Sequence, residues 1–283
     1  MNKSGAQTAP VPRGAREEAA GSAAASRAKA SVPMWNRPYV YRLLSVAALL
    51  TLWELIGPHI DPIFFTYPSA IARAAWAMSV SGELAKYTLE SMQILLYGMI
   101  LAIGVGIPLG VVMARFRKVD WLLDTYVNAL YSTPTVALVP LIVLWFGIRM
   151  EAKVFVVFLF AVFPVLINTY QGVRKVDQGF LEVARSFRSS EWQMWHDVLL
   201  PWAVPYITAG IRLAIGRGLV GMIIAEFYTA MSGLGYMIVR YAHIFKMDYT
   251  FVPVILLMFL GVTLTAALKY LERRVAPWNR SED

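Results

Sequence analysis

The chain has no cysteine, only three histidines and few charged residues. Of its 283 residues none is Cys, and 16% are Asp, Glu, Lys or Arg. The absence of Cys excludes a disulfide framework and thiol catalysis. The histidines His59, His196 and His243 are isolated and lack the spacing of metal ligands. The residues therefore predict neither a metal site nor a bound cofactor, and no nucleophile–base pair supports an enzyme.

The apolar content is high where the charge is low. Hydrophobic residues make up 58% of the chain and the mean hydropathy is +0.55, whereas soluble domains are nearer half apolar and a quarter charged. An integral membrane protein follows. The net charge of +8 does not indicate a nucleic-acid partner, because the basic residues cluster at the edges of the apolar runs.

Six apolar segments predict an all-α integral membrane fold. Each approaches the ~20 residues that cross a bilayer as a helix, and their continuous apolar character favours helices over barrel strands. The predicted helices are 39–56, 89–113, 121–146, 154–170, 204–227 and 251–268. Residues 1–33, rich in Ala, Ser, Gly, Pro and Arg, predict a disordered cytoplasmic tail, and residues 34–283 a transmembrane domain.

The placement of Lys and Arg predicts the orientation in the membrane. If the N-terminus is cytoplasmic, 18 of the 26 basic residues lie inside, and two more lie within the fifth segment. Because cytoplasmic loops carry an excess of Lys and Arg, both termini are expected in the cytoplasm.

An integral membrane protein without catalytic groups is a candidate transporter, and a transporter needs a source of energy. No Gly-Lys dipeptide occurs, so the phosphate-binding pattern G-x-x-x-x-G-K-[ST] is missing. Two hypotheses remain from the residues alone. Either a partner protein supplies ATP energy, or the chain is a stand-alone ion-coupled carrier or channel.

Polar residues within the apolar segments are candidates for lining a path. The third segment combines Ser132, Thr133 and Thr135 with Pro134 and Pro140. Prolines free backbone carbonyls and hydroxyls satisfy them, which is typical of a kinked helix that lines a path, although a merely structural kink fits equally.

Two charged residues of the fifth segment are further candidates. Arg217 lies roughly 20 Å from the start of that segment, and must face a structural partner, a cavity or an interface. Glu226 lies near its outer end, where it either reaches water or forms a functional ion site. Glycines are also dense in the second and fifth segments, which predicts close helix packing.

The charged segment 174–201 interrupts the apolar pattern and carries a resemblance. It is short of Gly and Pro and ends on Leu-Pro, which indicates an ordered helical element at a membrane surface. It resembles the coupling loop of membrane subunits of bacterial ABC importers, which reads E-A-A, three residues, G, nine residues, I, one residue, L-P. The matching register is Glu182, Val183, Ala184, Arg188, Val198, Leu200 and Pro201.

Arg188 departs from that pattern because the family has Gly there. Since Arg adopts a positive φ only at a cost, either the turn is formed differently or the partner surface has changed. Other stretches are similar to the nitrate, taurine and alkanesulfonate permease group. They are Val139–Leu141, Leu144–Gly147, Phe163-Pro164, Asn168–Val173, Ala225-Glu226, Ser232–Tyr236 and Leu271–Arg274.

The resemblance implies a half-transporter with a type I importer-like fold of six helices in the bacterial inner membrane. It implies a second membrane subunit, two ATPase subunits that use ATP and dock on the coupling loop, and a periplasmic or extracellular solute-binding protein that meets residues 57–87 and 229–249. Glu182, Ala184, Arg188, Leu200 and Pro201 would contact the ATPase. Ser132, Thr133, Thr135, Arg217 and Glu226 are the candidates for the path of a small anion such as nitrate, a sulfonate or taurine.

Overall fold

The computed structural model describes residues 38–275, and in this range the chain forms helices and no strands. The predicted tail at residues 1–33 lies outside the described residues. Ten helices follow one another, together with a short 3-10 turn at Gly57–His59. They are α1 Pro38–Ile56, α2 Pro68–Val80, α3 Glu83–Arg115, α4 Arg117–Ser132, α5 Thr135–Phe146, α6 Met150–Arg174, α7 Gln178–Ser186, α8 Glu191–Thr229, α9 Leu234–His243 and α10 Met247–Val275.

Five of these helices are long and apolar enough to span a membrane: α1, α3, α6, α8 and α10. A sixth span results if α4 and α5 are counted together, although the two meet at an angle of 96°. Helix α1 belongs to one unit, which ends at Ile56, and the other helices belong to a second unit, which begins at Gly57. The site lies within this second unit.

Helix α6 is the centre of the second unit, with α3 and α8 packed along it. Their contact is made by Leu95, Ala102, Val157, Val165 and Met222, which are all nearly or fully buried. A membrane offers no hydrophobic driving force between helices, so close packing has to hold them together.

Glycines permit this close packing. A Cβ atom on Gly98 would lie 2.4 Å from Cγ1 of Val157, and one on Gly110 would lie 2.7 Å from the carbonyl oxygen of Leu166. On α8, a Cβ atom at Gly210 would lie 2.9 Å from the carbonyl oxygen of Pro164. The glycines of α3 and α8 therefore let two backbones approach α6, as the sequence predicts for these two segments.

The third predicted helix, 121–146, is broken in the structure. Thr133 is extended, with φ −72° and ψ 133°, because the ring of Pro134 disfavours a helical conformation of the preceding residue. At the end of α4 the carbonyl of Ala129 accepts from both the N–H of Thr133 at 3.1 Å and its hydroxyl at 2.8 Å. A single kinked helix was expected here; the structure instead has two helices that meet at 96°.

Helix α9 closes the end of the unit opposite to α7. It packs on α10, and Tyr241 donates to Oε2 of Glu83 at the start of α3 at 2.7 Å. Arg240 pairs with the other carboxylate oxygen of Glu83 at 3.1 Å. Burial and the neighbouring Glu83 carboxylate raise the pKa of Tyr241 to about 12, so the phenol remains a hydrogen-bond donor at neutral pH.

Candidate functional site

The charged segment between α6 and the apolar part of α8, residues 174–201, consists of two ordered helical pieces. It is called the α7 segment below. Helix α7 begins at an N-cap, Asp177, whose Oδ1 accepts from the backbone N–H of Gly179 at 2.8 Å. Helix α8 begins with a capping box, in which Ser190 and Gln193 each bond the other's backbone N–H. Both caps satisfy donors that a helix start leaves unpaired, so the sequence itself specifies where each helix begins.

Arg188 forms the turn between these two helices in a left-handed conformation, with φ 55°. Its N–H donates to the carbonyl of Arg185 at 2.9 Å, and the N–H of Ser189 donates to the carbonyl of Ala184 at 3.1 Å. These two bonds define a Schellman motif, in which a residue with positive φ ends the helix. Of the two alternatives for Arg188, a differently formed turn is not observed: Arg188 adopts the conformation that glycine favours.

We expect Arg188→Gly to stabilise the protein by about 1 kcal/mol, because Arg pays a steric cost at positive φ that Gly avoids. Arg188→Ala is the matched control, since it removes the guanidinium but keeps a Cβ atom at the strained position. Thermal unfolding in detergent should show a higher melting temperature for the Gly variant only. An equal rise for both variants would mean that the guanidinium, and not the backbone, is the source of the effect.

A buried cluster anchors the segment to the long helices. Val173, Val176, Met194, Leu199 and Ala203 are buried together where α6, the connection after it and α8 meet. Beside them is a cavity of about 370 Å³, whose lining includes the side chains of Arg115, Arg174 and Arg185. The first turns of α8 are therefore fixed to the membrane-spanning part of the fold.

The outer face of the segment is exposed and partly apolar. Phe187 is 82% exposed and Trp192 77% exposed, and Val183 on α7 is also largely exposed. Glu182 lies on this outer side, and its carboxylate has no ion pair or hydrogen bond to residues 38–275. Sequence reasoning missed Phe187 and Trp192, although two large aromatics in a charged segment are a signal that could have found them.

The predicted ATPase-contact residues occupy different depths of this segment. Glu182 and Arg188 are exposed, whereas Ala184 is buried on the inner side of α7. Leu200 is 36% exposed and Pro201 is half-buried, and both lie on α8 just after its buried turn. The structure thus presents Glu182 and Arg188 outward and uses Ala184 for packing.

The break between α4 and α5 lies beside a cavity of about 250 Å³. Thr135 and Arg217 line it together with Tyr131 and Gly216, and the rest of its lining is apolar, from Leu159, Phe160, Phe163 and Val220. Nη2 of Arg217 donates to the Tyr131 hydroxyl at 3.0 Å, and the guanidinium lies 4.9 Å from the centre of the Tyr131 ring. Of the predicted path residues, Thr135 and Arg217 therefore meet at one cavity, while Ser132 and Thr133 flank the break without lining it.

Glu226 lies elsewhere, fully buried at the α9 end of the unit. Ser91 Oγ donates to Oε1 of Glu226 at 2.6 Å, and the N–H of Gly235 donates to Oε2 at 2.7 Å. Ser91 Oγ in turn accepts from the N–H of Leu234 at 2.8 Å. The expectation that Glu226 reaches water is wrong, and its carboxylate does not line the cavity at Arg217.

The turn after α8 is held by further polar contacts around Glu226. Lys153, only 3% exposed, donates to Oγ of Ser232 at 2.7 Å and to its carbonyl at 3.2 Å. The N–H of Gly233 donates to Oε2 of Glu90 at 3.2 Å. These contacts join α3, α6 and α9 to the end of α8, so Glu226 and Lys153 fix the position of α9.

A comparison with protein families matches more than half of the chain to one family. Residues 106–277, which include the α7 segment and all of α8, match the family described as "Binding-protein-dependent transport system inner membrane component". The chain belongs to this family.

Curated relatives of this permease cover nearly the whole chain. It is 37% identical over 233 residues to the "Putative aliphatic sulfonates transport permease protein SsuC" of Escherichia coli, which is 82% of this chain and 89% of that protein. It is 31% identical to the Bacillus subtilis protein of the same name, over 94% of this chain and 98% of that one. The "Taurine transport system permease protein TauC" of Escherichia coli is 27% identical over 86% of this chain and 91% of its own length.

Solved structures share the fold of this permease. The inward-facing MetNI methionine ABC transporter aligns with a TM-score of 0.53 and 20% identity, over 66% of this chain and 93% of the other. A second crystal form of that transporter aligns with the same TM-score, over 72% of this chain and 95% of the other. The permease therefore has the all-α fold of ABC importer membrane subunits. Its family makes it a multi-pass inner-membrane component of a binding-protein-dependent transport system.

Proposed function

We propose that this permease forms the membrane path for a small organic sulfonate. The observation that carries the proposal is its 37% identity, over 82% of its length, to a protein named as an aliphatic sulfonates transport permease. The relative named for taurine also belongs to a sulfonate system, because taurine carries a sulfonate group. Nitrate and related organic acids are the remaining members of the predicted substrate class.

The proposed assembly contains two copies of the permease, two ATPase subunits and a solute-binding protein. In this assembly the cavity at Arg217 borders the path between the two copies. This placement accounts for the exposure of the Arg217 side chain in a single chain. The ATP is used by the ATPase subunits, since the chain has no phosphate-binding loop of its own. The distribution of 18 of 26 basic residues supports cytoplasmic termini and a cytoplasmic α7 segment.

The α7 segment is the proposed contact with the ATPase. Its outer face presents Glu182 and the exposed side chains of Phe187 and Trp192, and large exposed apolar side chains beside charges are typical of a protein-binding surface. On its inner side, Leu181 packs against the buried cluster in which Val173 meets Met194 and Leu199 of α8, and Ala184 is buried. A displacement of the outer face is therefore transmitted to two membrane-spanning helices, and Leu200 and Pro201 lie at the start of the spanning part of α8.

The stand-alone ion-coupled carrier is the competing proposal. Such a carrier needs an intramembrane carboxylate that exchanges an ion with water. Glu226 is fully buried, and its two oxygens accept hydrogen bonds from Ser91 and Gly235. This geometry favours a structural role for Glu226 and gives the ion-coupled carrier no support.

Uptake of radiolabelled ethanesulfonate into proteoliposomes tests the proposed substrate class. The vesicles contain the permease and its ATPase, with ATP inside and the solute-binding protein outside. We expect uptake that requires all three proteins and that unlabelled taurine, but not choline, reduces. Uptake that choline inhibits and taurine does not would contradict a sulfonate substrate.

A further inference from the structure

Two arginines of α8 have different electrostatic surroundings. Arg212 pairs with the carboxylate of Glu272 on α10. Arg217, five residues further along, contacts the hydroxyl and ring of Tyr131, but no carboxylate of residues 38–275 lies within ion-pair distance of it. Its position is roughly 18 Å from the α9 end of α8 and about 25 Å from Leu200, at 1.5 Å per residue. Arg217 is therefore a positive charge deep in the span without an internal counter-charge.

An uncompensated charge at this depth is costly. An ionised side chain inside a membrane faces a partner, a cavity or water, because removing it from all three costs several kcal/mol. A Tyr hydroxyl and ring reduce this cost without neutralising the charge. Arg217 is also exposed on the surface of this chain, so a counter-charge from outside the chain is able to reach it.

A second copy of the chain is a poor source of that counter-charge. Glu226 and Glu90, which lie within spanning helices, already accept hydrogen bonds from Gly235 and Gly233. Asp120 pairs with Arg174, and Asp124 lies one turn further along α4, two turns before Tyr131. Glu226 and Glu90 are therefore engaged, whereas Asp124 is exposed near the middle of α4. We take a solute anion in the cavity beside Arg217 as the source of the counter-charge.

The start of α5 adds a second positive feature to the same cavity. Because α4 and α5 are separate helices, Thr135 is the first residue of a 12-residue helix, and it lines the cavity with Arg217. The first backbone N–H of α5 that donates to a backbone carbonyl is that of Ala137, to Pro134 at 2.9 Å. The N–H groups of Thr135 and Val136 come before it and have no acceptor in the backbone of the helix. A helix start inside a membrane protein carries a partial positive charge and unpaired donors, both of which suit an anion.

We propose that Arg217 and the start of α5 form a binding site for the anionic head group of the transported solute. This rests on the proposed function as a sulfonate permease. Arg217 binds two oxygens of the head group through its forked donors, and the Thr135 hydroxyl is available to a third. Tyr131 positions the guanidinium by its hydrogen bond and ring contact. The short carbon chain lies against Phe160, Phe163 and Val220, and the volume of about 250 Å³ restricts the site to small anions.

Binding to the purified permease–ATPase complex, without the solute-binding protein, tests the site directly. We expect sodium ethanesulfonate to raise the melting temperature of the wild type more than sodium chloride does at the same ionic strength. Arg217→Gln should abolish this difference and Arg217→Lys should reduce it, because Lys keeps the charge but lacks the forked donors. Arg212→Lys is the matched control, since it preserves the pair with Glu272 and should respond as the wild type does.

Uptake separates failure of the site from failure of the proposed function. In proteoliposomes with all partners, Arg217→Gln should reduce ethanesulfonate uptake at least tenfold, while Arg212→Lys should not. Tyr131→Phe, which keeps the ring, should lower uptake severalfold and serves as the second variant if Arg217→Gln does not fold. Wild-type uptake with an equally active Arg217→Gln would overturn the site and leave the proposed function intact. No wild-type uptake would contradict the proposed substrate, and equal melting shifts in wild type and Arg217→Gln would then overturn the site independently.

Discussion

Replacing Gly233 with Ala is expected to destabilise the permease by about 3 kcal/mol or more, which places it among the most damaging single changes. A Cβ atom at this position would lie 2.0 Å from Oε1 and 2.7 Å from Oε2 of Glu226, and Gly233 has φ 97°. The side chain of Glu226 cannot move aside without losing its bonds to Ser91 and Gly235, which would leave a buried polar group without partners. Thermal unfolding of the purified protein in detergent measures the loss.

Gly216→Ala is the matched control for this change. Gly216 is a glycine of the same unit, within α8, and a Cβ atom there would meet nothing within 4 Å, so the stability of this variant should be unchanged or slightly higher. The effects of Gly233→Ala and Glu226→Ala on the free energy of unfolding should also be non-additive. In a Glu226→Ala background, where most of the clashing atoms are gone, Gly233→Ala should cost clearly less. A Gly233→Ala variant that melts with the wild type would contradict the buried network around Glu226.

Reversing the charge of Glu182 is expected to reduce ATP-driven uptake at least tenfold. Glu182 is exposed on α7, beside the uncovered side chains of Val183 and Phe187, and its carboxylate has no partner within residues 38–275. Lys at this position leaves the fold of the permease intact but places a positive charge against the proposed ATPase surface. Like charges or an unpaired buried charge at an interface cost several kcal/mol. Co-purification of the ATPase with the tagged permease, together with uptake, measures the effect.

Glu151→Lys is the control for that experiment. Glu151 is an equally exposed carboxylate, but it lies in the first turn of α6, at the other end of that helix from the α7 segment. ATPase co-purification should be normal in this variant and reduced in Glu182→Lys. If Glu182→Lys retains both the ATPase and full uptake, the α7 segment does not transmit energy through this residue.

The sequence predicts the spanning helices well because each one is a long apolar run. The apolar segments that become α3, α6 and α8 are near the ~20 residues that a membrane crossing requires, and the glycines of α3 and α8 already indicate close packing. The bend between α4 and α5 is different. Pro134 predicts an interruption, but its 96° angle depends on how α5 packs against α6, which is a tertiary contact.

The candidate site was predictable only where it depends on local sequence. Glu182 and the Leu200-Pro201 pair follow from the spacing of the segment. The positive φ of Arg188 was not predictable, since the segment's two flanking helices impose a conformation that the residue itself disfavours. The role of Glu226 was not predictable either, because its partners Ser91 and Gly235 are brought together by the fold. The aromatic pair Phe187 and Trp192 was visible in the sequence and overlooked.

The central claim is that ATP hydrolysis by a partner drives solute movement through this permease. The most direct measurement is ethanesulfonate uptake into proteoliposomes that hold the permease, its ATPase and internal ATP, with the binding protein outside. We expect uptake that stops when ATP is replaced by a non-hydrolysable analogue and that persists when ionophores abolish proton and sodium gradients. Uptake by the permease alone, driven by an imposed ion gradient and unaffected by removal of ATP, would contradict the account.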